Sequence, residues 1–160
     1  MTEQIQDQDR YFMSKALKLA EYAQRMGEVP IGAVLVKDGE VVAEGYNRRE
    51  MEHDPAGHAE FLAIHIYSRL TREWRMTGCT LYVTLEPCIM CAGLLQQARV
   101  DRCVFGAYDP KGGALGSLYQ INADERLNHT YEVTGGVMEE ECGQILKDFF
   151  ARKREQNKQE

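Results

Sequence analysis

The sequence predicts an α/β protein in which helices cover a sheet. Two observations carry that class. Segments whose apolar residues recur at helical spacing alternate along the chain with short runs rich in Val, Tyr and Thr, the order a helix-covered sheet requires. Two of the β-type runs, in IGAVLVKDGEVVAEGYN, are separated only around Asp38 and Gly39, and an Asp-Gly pair favours the positive-φ conformations of a tight hairpin.

Each element follows from local pattern. Phe12, Ala16, Leu19 and Ala23 lie three or four residues apart, which predicts a helix over roughly 8–25 that Gly27 stops. The hairpin comes next and starts one edge of the sheet. A helix is expected from about His58 to Leu70, then the strand TLYVTL (80–85), a helix from about Cys88 to Ala98, and the strand RCVFGAY (102–108). DPKGGALGS is too rich in glycine for regular structure and reads as a surface loop, of the kind that lines sites. A strand at 130–134 precedes Met138, Cys142, Ile145, Leu146 and Phe149, the stripe of a last amphipathic helix. No repeat, linker or shift in composition divides the chain. At 160 residues and 44% hydrophobic it supports one good core, so a single domain over 1–160 is expected.

Composition narrows the setting. The start, MTEQIQDQDR, has acids and glutamines where a signal peptide would be basic and then apolar. No stretch reaches the ~18 apolar residues of a membrane span. A cytoplasmic protein without a membrane partner is therefore expected. The five cysteines, Cys79, Cys88, Cys91, Cys103 and Cys142, are an odd set, and a reducing compartment favours thiol or metal roles over disulfides. Two of them read as ligands and three as buried packing residues. A net charge of −6 excludes a protein that coats nucleic acid indiscriminately, because that needs a broad positive surface. It leaves room for a local basic strip, and the end ARKREQNKQE carries Arg152, Lys153, Arg154 and Lys158; taken alone, such an end also reads as a solvated helix terminus.

The chemistry concentrates in GHAE (57–60) and EPCIMC (86–91). Cys88 and Cys91 stand at i and i+3 on one helix face, and Pro87 suits the residue before that helix. Both thiols then fall in the first turn, where the helix dipole and a metal favour thiolate. Cys-x-x-Cys alone fits zinc, redox or packing roles equally. His58 is the nearest third ligand, whereas His53, His65 and His129 read as polar surface or core residues. Glu60 sits two residues on, about 200° round a regular helix, so both side chains reach one metal only if His58 stands at the helix entry. The proline and glycine in HDPAGH suit such an entry. A second Cys-x-x-Cys pair, which a closed structural site needs, is missing, and one coordination position should be open to water.

HAE (58–60) with PCIMC (87–91) resembles the signature of the zinc-dependent nucleoside and base deaminases, H-x-E followed by P-C-x-x-C. From about residue 10 to 155 the chain is further similar to one branch, the bacterial tRNA-specific adenosine deaminases, through VPIGAVLV, GYN, HDPAGHAE, TLYVTLEPCIMCAG, VFGAYDPKGG, GSL, LNH and DFFARKR in that order. The resemblance implies a cytidine-deaminase-like three-layer α/β/α fold with a central mixed sheet, and one Zn2+ per chain held by His58, Cys88 and Cys91. It implies that Glu60 is the proton shuttle and that Asn47 hydrogen-bonds the purine. Without the resemblance, Asn47 reads as a turn residue after a strand. The implied substrate is a tRNA anticodon stem-loop whose wobble adenosine becomes inosine, and the implied assembly is a homodimer.

A duplex buries the reacting carbon, so the base must come from a splayed loop, held by a pocket, by stacking and by backbone contacts. Lys111 in the glycine loop, Phe150 one position round from the buried stripe, and Arg152, Lys153 and Arg154 are the candidate RNA contacts. Leu94 and Leu115 depart from the branch, where smaller residues are usual, and either narrow the pocket or fill the core differently. Two other readings remain open: a deaminase of a free base such as guanine or cytosine using the same zinc site, and a non-catalytic module in which Cys79 or Cys103 closes the zinc site.

Overall fold

A computed structural model describes residues 2–159. Its order is α1 (Glu3–Arg25), β1 (Gly32–Lys37), β2 (Glu40–Tyr46), α2 (Ala59–Thr71), β3 (Cys79–Leu85), α3 (Ile89–Gln97), β4 (Arg102–Ala107), β5 (Glu132–Thr134) and α4 (Glu139–Lys158). The Asp-Gly pair makes the expected turn, with φ of 52° at Asp38 and 77° at Gly39 and the strands closing at Lys37 opposite Glu40. The strands lie in the order β2-β1-β3-β4-β5. β1 is antiparallel to β2 and to β3, while β3, β4 and β5 run parallel, so the sheet is mixed as expected.

Alternation along the strands sorts the side chains into two cores. Val34, Val36, Tyr82 and Val104 meet Phe12, Met13 and Ala16 of α1 and Cys142 of α4 on one face. Ala33, Leu35, Leu81, Val83, Cys103 and Phe105 meet Ala59, Ala63 and Ile64 of α2 and Ala92 and Leu95 of α3 on the other. These two apolar layers complete an α/β/α sandwich. Small residues bring the helices close: a side chain on Gly32 would collide with the backbone of α1, and one on Gly45 with the backbone of α2.

Three boundaries differ from the sequence reading. α1 begins at Glu3 rather than near residue 8, because Thr2 caps it, its Oγ accepting from the Ile5 N–H at 3.3 Å, and the polar first turns need no core to be helical. β5 keeps only 132–134 of the expected 130–134. The glycine loop is only partly a surface loop: Gly113, Ala114 and Leu115 are buried, and a turn of 3-10 helix follows at Ile121–Ala123. At the far end of the sheet, Asp9 is buried and accepts from both Nη atoms of Arg102 at 2.8 Å and from the Tyr82 hydroxyl at 2.8 Å, tying α1 to β3 and β4. Arg102 Nη2 also donates to Thr134 Oγ of β5 at 2.8 Å.

Candidate active site and metal centre

The carboxyl ends of the parallel strands β3 and β4 are where a helix-covered sheet leaves a crevice, and the sequence delivers its chemistry there. β3 ends at Leu85 and the chain passes through Glu86 and Pro87 to Cys88, the N-cap of α3. His58 is the N-cap of α2, with extended φ and ψ of −90° and 150°. The histidine therefore stands at the helix entry, as the two-residue spacing to Glu60 demanded. Two helix N-termini converge on one point, and their partial positive charge favours anionic ligands there.

His58 Nδ1 lies 3.6 Å from Cys88 Sγ and 3.6 Å from Cys91 Sγ. Tetrahedral zinc with bonds of about 2.3 Å to sulfur and about 2.0 Å to nitrogen needs ligand atoms roughly 3.5–3.8 Å apart, so the three donors fit that ion. Among the described residues, His58, Cys88 and Cys91 are the grouping able to hold a metal. Cys79 begins β3, about 20 Å of strand from its far end, and Cys103 is buried at the start of β4. Neither closes the site, which removes the reading of a sealed zinc module. Cys79, Cys103 and Cys142 are buried packing residues, as expected.

Hydrogen bonds and burial set the proton affinities of His58, Cys88 and Cys91. The Cys91 thiol donates to Cys88 and, with the nearby His58 ring, holds the Cys88 thiol down at about 3 against the opposing effect of burial. The same bond, with burial, pushes Cys91 up. His58 is raised through its hydrogen bond to Cys88, which outweighs burial. Burial also raises the Glu60 carboxyl, which is 4% exposed, although its own N–H and His58 oppose the shift. A buried carboxyl with a raised affinity for protons, next to a metal site but outside its ligand set, suits a group that takes and returns a proton.

These residues face a cavity of about 260 Å³, room for one nucleobase, whose lining includes Asn47, His58, Glu60, Cys88 and the apolar Val29 and Leu85. Phe150, 43% exposed on α4, also lines it. Phe149 beside it is buried, the split that adjacent positions on one helix predict. The Asn47 amide donates to the Val29 carbonyl at 3.2 Å and accepts from the Arg49 N–H at 3.1 Å. Asn47 is thus both a turn residue and a wall of the cavity, with one N–H of its amide to spare. Of the other predicted contacts, Arg152 lines a neighbouring cleft, Arg154 is exposed on α4, and Lys111 is exposed on the loop with its backbone N–H on Asp109 Oδ1 at 3.1 Å. Leu94 and Leu115 lie outside the cavity lining: Leu94 packs against the core beside an outer groove, and Leu115 is buried in it. They fill core space rather than narrow the pocket.

Two buried carboxylates hold the cavity walls, and the sequence reading passed over both. Glu28 accepts from the N–H groups of Glu50 and Met51 at 3.0 and 2.9 Å, fixing the loop between Asn47 and His58. Glu86 accepts from the N–H groups of Asp109, Leu115 and Ser117 at 3.0, 3.1 and 3.0 Å and from the Ser117 hydroxyl. That is why the glycine loop turns inward, and a Cβ at Gly113 would fall on the Glu86 carboxylate. Only Glu86 carried a signal, as the single acid between an apolar strand and Pro87; Glu28, in the link between α1 and β1, carried none. Arg49 and Asp109, which also line the cavity, carried no signal in sequence.

Comparison with known proteins agrees with this geometry. Residues 6–107 match the family "Cytidine and deoxycytidylate deaminase zinc-binding region". The chain is 50% identical over 151 residues to the tRNA-specific adenosine deaminase of Bacillus subtilis (strain 168), covering 94% of each chain. Its fold superposes with a TM-score of 0.82 and 43% identity on a structure from a study of A-to-I editing by tRNA:A34 deaminases, over 85% of this chain and 99% of that one. A guanine deaminase from Bacillus subtilis is more distant, at a TM-score of 0.59 and 34% identity over 68% of this chain and 66% of that one. The match over residues 6–107 and the 50% identity across 94% of the chain place it in the zinc-binding cytidine and deoxycytidylate deaminase family, in keeping with the His58, Cys88 and Cys91 triad and the Glu60 carboxyl beside it.

Proposed function

We propose that residues 1–160 form one deaminase domain that hydrolyses adenosine to inosine at the wobble position of a tRNA anticodon. The observation that carries this reading is a one-base cavity facing the open side of the ligand triad, with Glu60 beside it, Asn47 on its wall and Phe150 lining it from α4. The relatives named as tRNA-specific adenosine deaminases support it over most of the chain.

His58, Cys88 and Cys91 hold one Zn2+. When bound, Zn2+ would supply a water acidified toward neutrality as the nucleophile for C6 of the purine. Glu60 would take one proton from the attacking water and deliver it to N1, then take the second from the oxygen added at C6 and pass it to the departing amine, so that adenosine and water become inosine and ammonia. Asn47 orients the base with its spare amide N–H, Val29 and Leu85 exclude water from its faces, and Phe150 stacks on a nucleotide at the mouth. Lys111, Arg152 and Arg154 hold phosphates of the stem-loop. No helix among the described residues is long and apolar enough to cross a membrane. We place the reaction in the cytoplasm with its RNA.

The same reading includes a homodimer. Phe61, Ile64, Trp74 and Leu94 line an apolar groove of about 450 Å³ between α2 and α3, and Trp74 on its wall is 52% exposed. An apolar surface of that kind suits association, and a second copy is the partner implied for this branch. Trp74→Glu should shift the protein from dimer to monomer in sedimentation; an unchanged sedimentation coefficient, or a monomeric parent, would exclude this face or the dimer itself.

The deciding assay compares an anticodon stem-loop bearing a wobble adenosine with free guanine and cytosine. Inosine formed in the stem-loop, with the free bases untouched, is the expected result. Turnover of a free base alone would replace this reading with the free-base deaminase.

A further inference from the structure

Beside the base pocket lies a second cleft, of about 340 Å³, between the end of α1 and α4. Arg25 and Gln24 form one wall, and Arg152, Lys153 and Gln156 form the other. No carboxylate lines it, in a chain with 25 acidic against 19 basic residues. Among the described residues, none of the three cations makes a salt bridge; Arg25 lies over the Tyr22 ring at 5.7 Å and Lys153 over Phe149 at 5.6 Å. Cations often gather at a helix C-terminus to meet its open carbonyls, but α1 is already closed by its own backbone. Met26 N–H donates to Tyr22 and Ala23, Gly27 N–H to Gln24, and Glu28 N–H to Ala23.

We propose that this cleft is a phosphodiester subsite for the RNA strand as it leaves the base pocket, with Arg25 of α1 as a backbone-binding residue. The proposal rests on the RNA-deaminating reading above and gives the strand a direction across the protein. Continuity supports it: Phe150 lines the base pocket and Phe149 the cleft, and Gly27 of the cleft is two residues from Val29 of the pocket. The wall continues outward as an aromatic and cationic ladder. Tyr22 packs edge-on to Tyr46 at 5.0 Å, and Arg48 lies over Tyr46 at 5.3 Å. Alternating cations and aromatic rings along a groove are what a single strand with stacked bases requires. The exposed guanidinium of Arg25, lying over the Tyr22 ring, is the type of group that pairs with a phosphate.

The test measures affinity of the zinc-loaded protein for an anticodon stem-loop between low and high salt. Each lost single-strand phosphate contact should flatten the slope of log affinity against log salt by about 0.7, or about fivefold weaker binding at 0.1 M salt relative to 1 M. Arg25→Gln and Lys153→Gln should each show this loss, and Arg25→Lys should recover most of it. Lys37→Gln removes the same charge at the opposite end of β1 and should leave the slope unchanged. Melting temperature of each variant checks that the fold persists. If the parent deaminates the stem-loop but Arg25→Gln keeps its affinity and slope, the cleft proposal falls and the proposed activity stands. If the parent neither binds nor deaminates the stem-loop, both fall.

Discussion

Replacing Glu86 by Gln changes one oxygen for an amino group and almost no volume, so its effect isolates the carboxylate's work as an acceptor. One oxygen accepts from the N–H groups of Leu115 and Ser117, the other from Asp109 N–H and the Ser117 hydroxyl. A glutamine amide keeps its oxygen toward Leu115 and Ser117, since that orientation saves two backbone bonds. The Ser117 hydroxyl can reverse and accept. Asp109 N–H cannot, and is left facing an N–H2 group. The loss is one charge-assisted bond, about 1.5–3 kcal/mol, with weakening of the two that survive. A total near 3 kcal/mol corresponds to a fall of about 6–12 °C in Tm for a chain of this size. Asp109 lines the base cavity, so its displaced backbone should also raise KM for the stem-loop, while the zinc content stays at that of the parent because no ligand has moved. Calorimetry, zinc analysis and steady-state kinetics on the same preparation read all three. A Tm within about 2 °C of the parent together with an unchanged KM would refute the assignment of Glu86 as the anchor of the cavity wall.

Glu60→Gln should retain zinc and lose on the order of 10² to 10⁴ in kcat, because the side chain carries protons and binds no metal, whereas His58→Ala should lose zinc on dialysis. Release of zinc from Glu60→Gln would show the roles to be wrongly divided. Burial, and then its bond to Asp9, raises the Tyr82 hydroxyl above its ordinary value. Its stabilising share is therefore complete below the unfolded value of about 10 and is lost as pH rises through the higher folded value. Tyr82→Phe should cost about 1 kcal/mol at neutral pH but show a shallower fall of Tm on the alkaline side; parallel alkaline slopes for the two proteins would contradict this.

The elements whose signals are local were legible from the sequence. Asp38-Gly39 placed the hairpin to the residue, and Pro87 with Cys88 and Cys91 placed the start of α3. The spacing of His58 and Glu60 alone required the histidine at a helix entry, and it is the N-cap of α2. What escaped was non-local. Glu86 hydrogen-bonds across 23 to 31 residues and Glu28 across 22 and 23, and nothing near either acid in sequence marks its partners. The inward path of the glycine loop follows from Glu86, so it escaped for the same reason. The early start of α1 was missed because its first two turns are polar and carry no periodicity to read. Arg25 drew no attention because its relation to Arg152 and Lys153 exists only once α1 and α4 lie side by side on the sheet.

The central claim is a catalytic zinc site with three protein ligands and one position left to solvent. X-ray absorption at the zinc edge of the purified protein tests it most directly. Two sulfurs, one imidazole nitrogen and one further light atom, at one zinc per chain, are the expected result. Three or four sulfurs around the metal would mean that another cysteine closes the site, and would contradict the account.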